Sequence, residues 1–315
     1  MNNKVVIIGC GNVGMSYAYA LLNQRTYVNR LTLIDINEER IEGEVMDLNH
    51  CLSYAPSKIS INVGDYKDCA DARIVVIAAG ANQKPGETRM DLIHKNASIF
   101  KDIIVNVMAS GFNGIFLVAT NPLDVMTYLT YKYSGLPASR VIGSGTSLDT
   151  ARLQLMIGKK LCINPKNIHA YVIGEHGDSE FIPWSNASIS LQNIKEFLTE
   201  EEMRAIEEDV RNAAYEIIKK KGATYYGIGM ALVRITNAIL GNENTIIALS
   251  VYDEVNDCYI GMPAILNKEG AERRVHLKLT EEESEKLQNS IGVIKDNINN
   301  LESDSQPFIF SQNNN

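Results

Sequence analysis

The sequence predicts an α/β protein with a doubly wound parallel sheet in its first half and an α+β unit in its second. Three observations predict it. Short β-branched runs alternate with amphipathic stretches up to about residue 142, a glycine-rich turn directly follows the first run, and long capped helices dominate beyond residue 143. With 315 residues and about 150 per domain, two domains are expected, 1–143 and 144–315.

Lys4 to Ile8, Leu31 to Ile34, Ile59 to Val63, Ile74 to Ala78, Ile115 to Val118 and Val141-Ile142 read as strands. Several of these runs are apolar throughout rather than alternating, the signature of a parallel sheet covered on both faces. Between them lie helix-compatible stretches such as Met15 to Asn23, and Glu38 to Asn49, which carries Ile41, Val45 and Leu48 on one face. In the second half, Thr199 and Glu202 form a capping box. Met203, Ile206, Val210, Ala213 and Ile217 then mark a helix that closes on Lys219-Lys220-Lys221-Gly222. Thr280 and Glu283 repeat the start signal, and Leu287, Ile291, Ile294, Ile298 and Leu301 continue a long terminal helix. The charged helix ends read as solvated faces. Ser303 to Asn315, around Phe308-Ile309-Phe310, reads as a loose tail.

Composition excludes several functions. Apolar residues make up 45% and no run nears the ~18 consecutive apolar residues of a membrane helix, so no membrane association is expected. Thirty Lys and Arg against 38 Asp and Glu give a net charge of -8 without a basic stripe, which argues against nucleic acid as a partner. Cys10, Cys51, Cys69, Cys162 and Cys258 are odd in number, scattered and never spaced C-x-x-C. Neither a disulfide framework nor a metal site follows, and a reducing cytoplasm fits. The strand Val5 to Ile8 starts too early to leave a signal-peptide layout.

Gly9-Cys10-Gly11-Asn12-Val13-Gly14 is a G-x-G-x-x-G between a strand and a helix-compatible segment. Such glycines permit a tight turn and close backbone approach, so that a pyrophosphate can rest on the helix N-terminus. Asp35 follows Gly14 by 21 residues, at the end of the second strand, where a carboxylate can bind a ribose 2′-hydroxyl. Together they predict a Rossmann dinucleotide site. The negative charge of Asp35 would repel a 2′-phosphate, which favours NAD over NADP.

Other stretches are ambiguous alone. His176, within Gly174-Glu175-His176-Gly177-Asp178-Ser179, reads as either a structural histidine or an acid/base group. Asp149 and Arg152 in Leu148-Asp149-Thr150-Ala151-Arg152 share a helix face, the pattern of an ordinary surface ion pair. The polar loop Gly80-Ala81-Asn82-Gln83-Lys84-Pro85-Gly86-Glu87-Thr88-Arg89 and the turn Ala119-Thr120-Asn121-Pro122 both follow strands, on the sheet edge where ligands bind, yet either could be a connector.

As a set, in this order, these motifs resemble the bacterial L-lactate dehydrogenases of the lactate and malate dehydrogenase family, from Lys4 to about residue 300. The resemblance implies NAD, pyruvate and L-lactate as reactants, and a homotetramer. It implies His176 as proton donor and acceptor, Asp149 as its orienting partner, Arg152 as a clamp on the substrate carboxylate and Arg89 as a polarising group on a closing loop. It further implies substrate contacts at Gln83, Asn121 and Thr224, and cofactor contacts at Gly9, Gly11, Asn12, Val13, Gly14, Asp35, Gly80, Ala81, Asn121 and Ile228. Malate dehydrogenases usually place an arginine at the Gln83 position, so the neutral glutamine favours pyruvate over oxaloacetate. Many relatives are activated by fructose 1,6-bisphosphate through an arginine and a histidine. Here His169 matches the histidine but Gln154 replaces the arginine, so weak or absent activation is expected. Competing readings are a dehydrogenase for a bulkier 2-hydroxy acid or malate, and an NAD-binding sensor without catalysis.

Overall fold

The computed structural model describes residues 2–81 and 89–304. Its first half supplies six strands, β1 (Lys4–Ile8), β2 (Arg30–Ile34), β3 (Ser60–Val63), β4 (Ile74–Ile77), β5 (Ile115–Val118) and β6 (Val141–Gly143). Between them run α1 (Asn12–Asn23), α2 (Glu38–Cys51), α3 (Arg89–Ala109) and α4 (Leu123–Ser134), and α5 (Ser147–Leu161) follows β6. The strands lie in the order β3-β2-β1-β4-β5-β6, every neighbouring pair parallel. The chain therefore winds outward from the middle in both directions, and a crevice opens at the carboxyl ends of β1 and β4. β1, β4 and β5 are buried at every position, which explains why their sequences show no alternation.

The second half contains the small antiparallel sheet of β7 (Ile168–His169), β8 (Ser188–Ile189) and β9 (Gln192–Asn193). After it come α6 (Glu200–Lys221), α7 (Tyr226–Leu240), the strands β10 (Thr245–Asp253), β11 (Cys258–Asn267) and β12 (Gly270–Arg274), and α8 (Glu281–Asp304). β10 pairs antiparallel with β6 at Ser250 and Gly143, so β10 to β12 extend the parallel sheet to nine strands instead of forming one of their own. An open β6 edge would leave backbone donors and acceptors unpaired; the second half covers it. The sheet thus runs across the change of texture near residue 143.

Local signals act where expected. Thr199 and Glu202 exchange both bonds of a capping box, and Gly222 ends α6 in the left-handed region at φ 86°. Thr280 and Glu283 do the same for α8. α1 starts at Asn12, three residues ahead of the predicted Met15, because the glycine turn leads straight into helix. α8 continues through Asp304, beyond the predicted start of the tail at Ser303, while Phe308-Ile309-Phe310 lies outside the described residues. Among the described residues, no helix is long and apolar enough to cross a membrane, and the five cysteines are free thiols. One core runs from Val5 on β1 to Leu301 on α8, and a smaller one gathers Leu153, Ile157, Val172 and Ile206 behind α5 and α6.

Candidate active site

The glycine turn and Asp35 form one wall of the crevice. A Cβ at Gly9, whose φ is 92°, would strike the backbone of Ala79 beyond β4, and one at Gly14 would strike the carbonyl oxygen of Gly9. Side chains are thus excluded where β1, α1 and the β4 loop meet. A Cβ at Gly11, by contrast, would enter open space. α1 begins there without a side-chain cap and without an acidic residue in its first turn, leaving its N–H groups and positive dipole end for an anion. Asp35 accepts from the Cys10 backbone N–H at 2.7 Å and from that of Asn37 at 3.0 Å, which fixes its carboxylate beside the turn. These residues fit the pyrophosphate and ribose of a dinucleotide.

Loops after β4 and β5 form the adjoining wall. Buried Asn96 on α3 accepts from the Ala81 N–H at 2.8 Å and donates to the Asn121 carbonyl at 3.1 Å, while the Thr120 hydroxyl donates to the Ala79 carbonyl at 2.8 Å. Gly80, Ala81 and Asn121 are thereby held together. The Asn121-Pro122 peptide is cis.

Asn121 also lines a cleft of about 370 Å³ shared with Asp149, Arg152, His176, Glu180, Arg211 and Tyr215. Asp149 and Arg152 stand on successive turns of α5. The buried Asp149 carboxylate accepts from Arg152 Nη1 at 2.7 Å through Oδ1 and meets His176 Nδ1 at 2.8 Å through Oδ2. The predicted surface ion pair is in fact an interior one, with Arg152 12% and Asp149 3% exposed. His176 sits in the loop between Ile173 and Phe181, whose backbones bond each other at 2.9 and 3.0 Å. Its own N–H donates to Asp124 Oδ2 at 2.8 Å, and Asp124 Oδ1 accepts from Ser250 at 2.5 Å. Thr146 and Thr150 of the α5 start bind the Val172 carbonyl and N–H, fixing the loop against the helix.

Electrostatics follow from this packing. Burial disfavours a charged His176, but Asp149, Glu180 and Asp124 overturn that and raise it to about 9. Burial likewise works against an ionised Asp149, yet His176 and Arg152 hold it below the usual carboxylate range. Glu180 is pushed up to about 8 by burial and by the charge of Asp149, and Asp124 to about 6 by burial. At neutral pH the pocket therefore holds an ionised Asp149 between two cations, with a proton on His176 Nδ1 for Asp149 to accept.

Two family models cover the chain: the lactate/malate dehydrogenase NAD binding domain over residues 3–143 and the alpha/beta C-terminal domain of the same family over residues 146–304. The chain belongs to the lactate/malate dehydrogenase family. An L-lactate dehydrogenase of Halalkalibacterium halodurans is 54% identical over 298 residues, 93% of this chain and 96% of that protein. L-lactate dehydrogenase 2 of Bacillus cereus (strain ZK / E33L) is 50% identical over 306 residues, 94% of this chain and 97% of the relative. Among solved structures, the lactate dehydrogenase MGS-M5 from a Medee basin deep-sea metagenome library superposes with a TM-score of 0.93 at 54% identity, covering 95% of this chain and 99% of the other. The minor L-lactate dehydrogenase of Enterococcus mundtii in its ligands-bound form gives 0.93 at 44%, covering 95% and 98%. Membership of the lactate/malate dehydrogenase family, with its NAD binding domain, makes NAD the cofactor.

In this lactate/malate dehydrogenase, His176, Asp149, Arg152 and Asn121 come together in one cleft. Gly9, Gly11, Asn12, Val13, Gly14, Asp35, Gly80 and Ala81 lie on the carboxyl edge of the sheet. Ile228 is in the first turn of α7, which packs on α1 with Gly229 against Ser16, and Thr224 precedes that helix; neither lines the His176 cleft. Gln83 and the side chain of Arg89 lie outside the described residues. Gln154 donates to the Ala170 carbonyl at 3.3 Å, next to exposed His169 on β7. Asn96, Asp124 and Glu180 escaped the sequence reading, since each acts through a fold-made contact without a motif of its own.

Proposed function

We propose that this NAD-dependent L-lactate dehydrogenase reduces pyruvate to L-lactate reversibly, with His176 as proton donor and acceptor. The observation that carries this reading is the Arg152–Asp149–His176 constellation, bonded at 2.7 and 2.8 Å along one wall of the cleft. When bound, the nicotinamide supplies the hydride to the keto carbon or takes it back. Gly9, Gly11 and Gly14 would hold the pyrophosphate, Asp35 the ribose, and Asn121 and Ile228 the nicotinamide end.

The rest is the work of side chains. As negative charge develops on the keto oxygen, protonated His176 gives up its Nε2 proton, and Asp149 stabilises and aligns the imidazolium through Nδ1. Arg152 uses one of its five N–H donors on Asp149 among the described residues; a planar guanidinium can take the substrate carboxylate with others and so fix which face of the carbonyl is attacked. Arg89, the first residue of α3, is assigned to polarise the carbonyl, and Thr224, which does not line the His176 cleft, is assigned to the substrate pocket by the family resemblance alone.

Gln83 sets substrate choice. A neutral amide cannot pair the second carboxylate of oxaloacetate, a penalty of about 3 kcal/mol or on the order of 10² in kcat/KM, whereas a pyruvate methyl needs no partner. The protein is assigned to the cytoplasm and to a homotetramer, with weak or absent response to fructose 1,6-bisphosphate because Gln154 supplies no charge beside His169. NADH oxidation rates with pyruvate, oxaloacetate and 2-oxoisocaproate, each with and without the sugar bisphosphate, test these assignments together. Pyruvate is expected to lead oxaloacetate by about 10² or more, with Gln83→Arg shifting preference toward oxaloacetate. Equal rates would overturn the role of Gln83, and a large fall in pyruvate KM on adding the bisphosphate would overturn the regulatory assignment. Absence of turnover with all three acids would instead favour a sensor.

A further inference from the structure

Glu180 is a buried carboxylate that the steps above do not use. It closes the loop that carries His176: its N–H donates to the Gly177 carbonyl at 3.3 Å, and the next residue, Phe181, is bonded to Ile173 at the loop base. Ser179, just before it, is pinned by Ser290 of α8, which donates to its carbonyl at 2.5 Å, and by Glu175, which accepts from its hydroxyl at 2.5 Å. The Glu180 backbone is thus fixed on both sides. A carboxylate oxygen of Glu180, one of Asp149 and a ring nitrogen of His176 all lie within 4.8 Å of one another. The side chain lines the same cleft as Arg152 and Asn121.

We infer that Glu180 is a positioning residue for the reaction: it is a second carboxylate beside the imidazole that keeps His176 charged into the alkaline range where Asp149 alone would lose it. This rests on His176 being the acid/base group proposed above. The surroundings make Glu180 suited to the task. Asp149 and Arg152 of α5, His176 of its own loop and Arg211 of α6 face it, and burial with the Asp149 charge raises it to about 8. His176 is in turn faced by Asp149, by Asp124 at the start of α4, and by Glu180. Below about 8 Glu180 carries a proton and adds no charge to a pocket that must admit a substrate anion. Above it, Glu180 ionises in the range where His176 begins to deprotonate, and the new charge opposes that loss. The two titrations are coupled, so the pair broadens the working range at its alkaline end.

The test is Glu180→Gln, which keeps the volume and removes the charge, beside Glu201→Gln as an exposed control for net charge. For pyruvate reduction, which needs protonated His176, the alkaline limb of kcat/KM is expected to move to lower pH by roughly half a unit or more. At pH 9, with His176 near 9, that is about a twofold loss, approaching threefold at higher pH, with the acidic plateau retained and the control profile unchanged. The same shift is expected in the pH dependence of oxamate binding to the NADH complex, read by NADH fluorescence. Glu180→Asp should restore part of it. An unmoved limb in both readouts, in a variant whose plateau shows it to be folded, overturns the inference. A plateau lost without a shift in the limb also overturns it, since Glu180 would then support the loop only. Wild-type protein with no pyruvate turnover defeats the functional reading itself, whereas wild-type turnover with an unmoved variant defeats this inference alone.

Discussion

Asp149 is the residue on which most of the site converges. Its two oxygens hold Arg152 and His176 at once, so a single buried carboxylate sets both the proposed clamp and the proposed proton donor. Asp149→Asn retains the shape but removes the charge that overcomes the desolvation of His176. Glu180 and Asp124 remain as weaker supports. The amide can also present N–H to the imidazole, inverting the tautomer that leaves Nε2 facing substrate. The expected outcome is a fall in kcat/KM for pyruvate of roughly 10² or more at pH 7, with the alkaline limb displaced to lower pH. Steady-state rates from pH 6 to 9.5 check it. A variant within threefold of wild type, with an unshifted limb, would remove Asp149 from the proposed chemistry.

At the scale of elements, the crevice depends on ties between loops that follow different strands. Asn96 is the tie with the most consequence, because its amide satisfies Ala81 from the β4 loop and Asn121 from the β5 loop while itself buried. Asn96→Ala leaves an N–H and a carbonyl without these partners, at about 1–3 kcal/mol each if water cannot replace them. Both loops belong to the proposed cofactor wall, so the dissociation constant for NADH is expected to rise about tenfold or more, with the pH limb assigned to His176 unmoved. Fluorescence titration with NADH decides it, and unchanged affinity would refute the tie. The same distinction explains what the sequence could tell. β1, β4 and β5 were legible because each is an unbroken apolar run ended by a polar or glycine turn, and His176, Asp149 and Arg152 because their motifs are local and ordered. β11 was not, since it is buried at nearly every position and contains Gly261 and Pro263, giving neither period two nor a clear end. α3 and α7 were equally silent, and Asn96, Asp124 and Glu180 carry meaning only once distant segments have met.

For the whole molecule, Glu180, Asp124 and His176 make stability depend on pH in a direction opposite to that of the carboxylates held low by cations or hydrogen bonds. Asp71 is held down to about 2 by Arg30 and Lys4, and Asp149 and Asp253 also lie low. Their stabilisation is complete above the unfolded carboxylate range near 4 and is lost as pH falls through the folded values. His176, raised to about 9, contributes stability that is complete below its unfolded value of about 6.5 and disappears as pH rises through 9. Glu180 at about 8 and Asp124 at about 6 act in the same sense, because the folded chain keeps protons that the unfolded chain has already released. The buried thiols of Cys10, Cys69 and Cys258, each pushed up to about 12, extend the trend above pH 8.5. The folded state thus binds more protons than the unfolded one from about pH 5 to 9, while the lowered carboxylates reverse that difference near pH 4, so maximal stability falls on the weakly acidic side, at about pH 5. Calorimetry at fixed protein concentration without cofactor should show Tm falling by roughly 5 °C from pH 6 to pH 9, and His176→Asn should flatten the part of the slope above pH 6.5. A Tm that stays level or rises across that window would mean that the cleft does not hold its protons as the packing of Asp149, Glu180 and His176 requires.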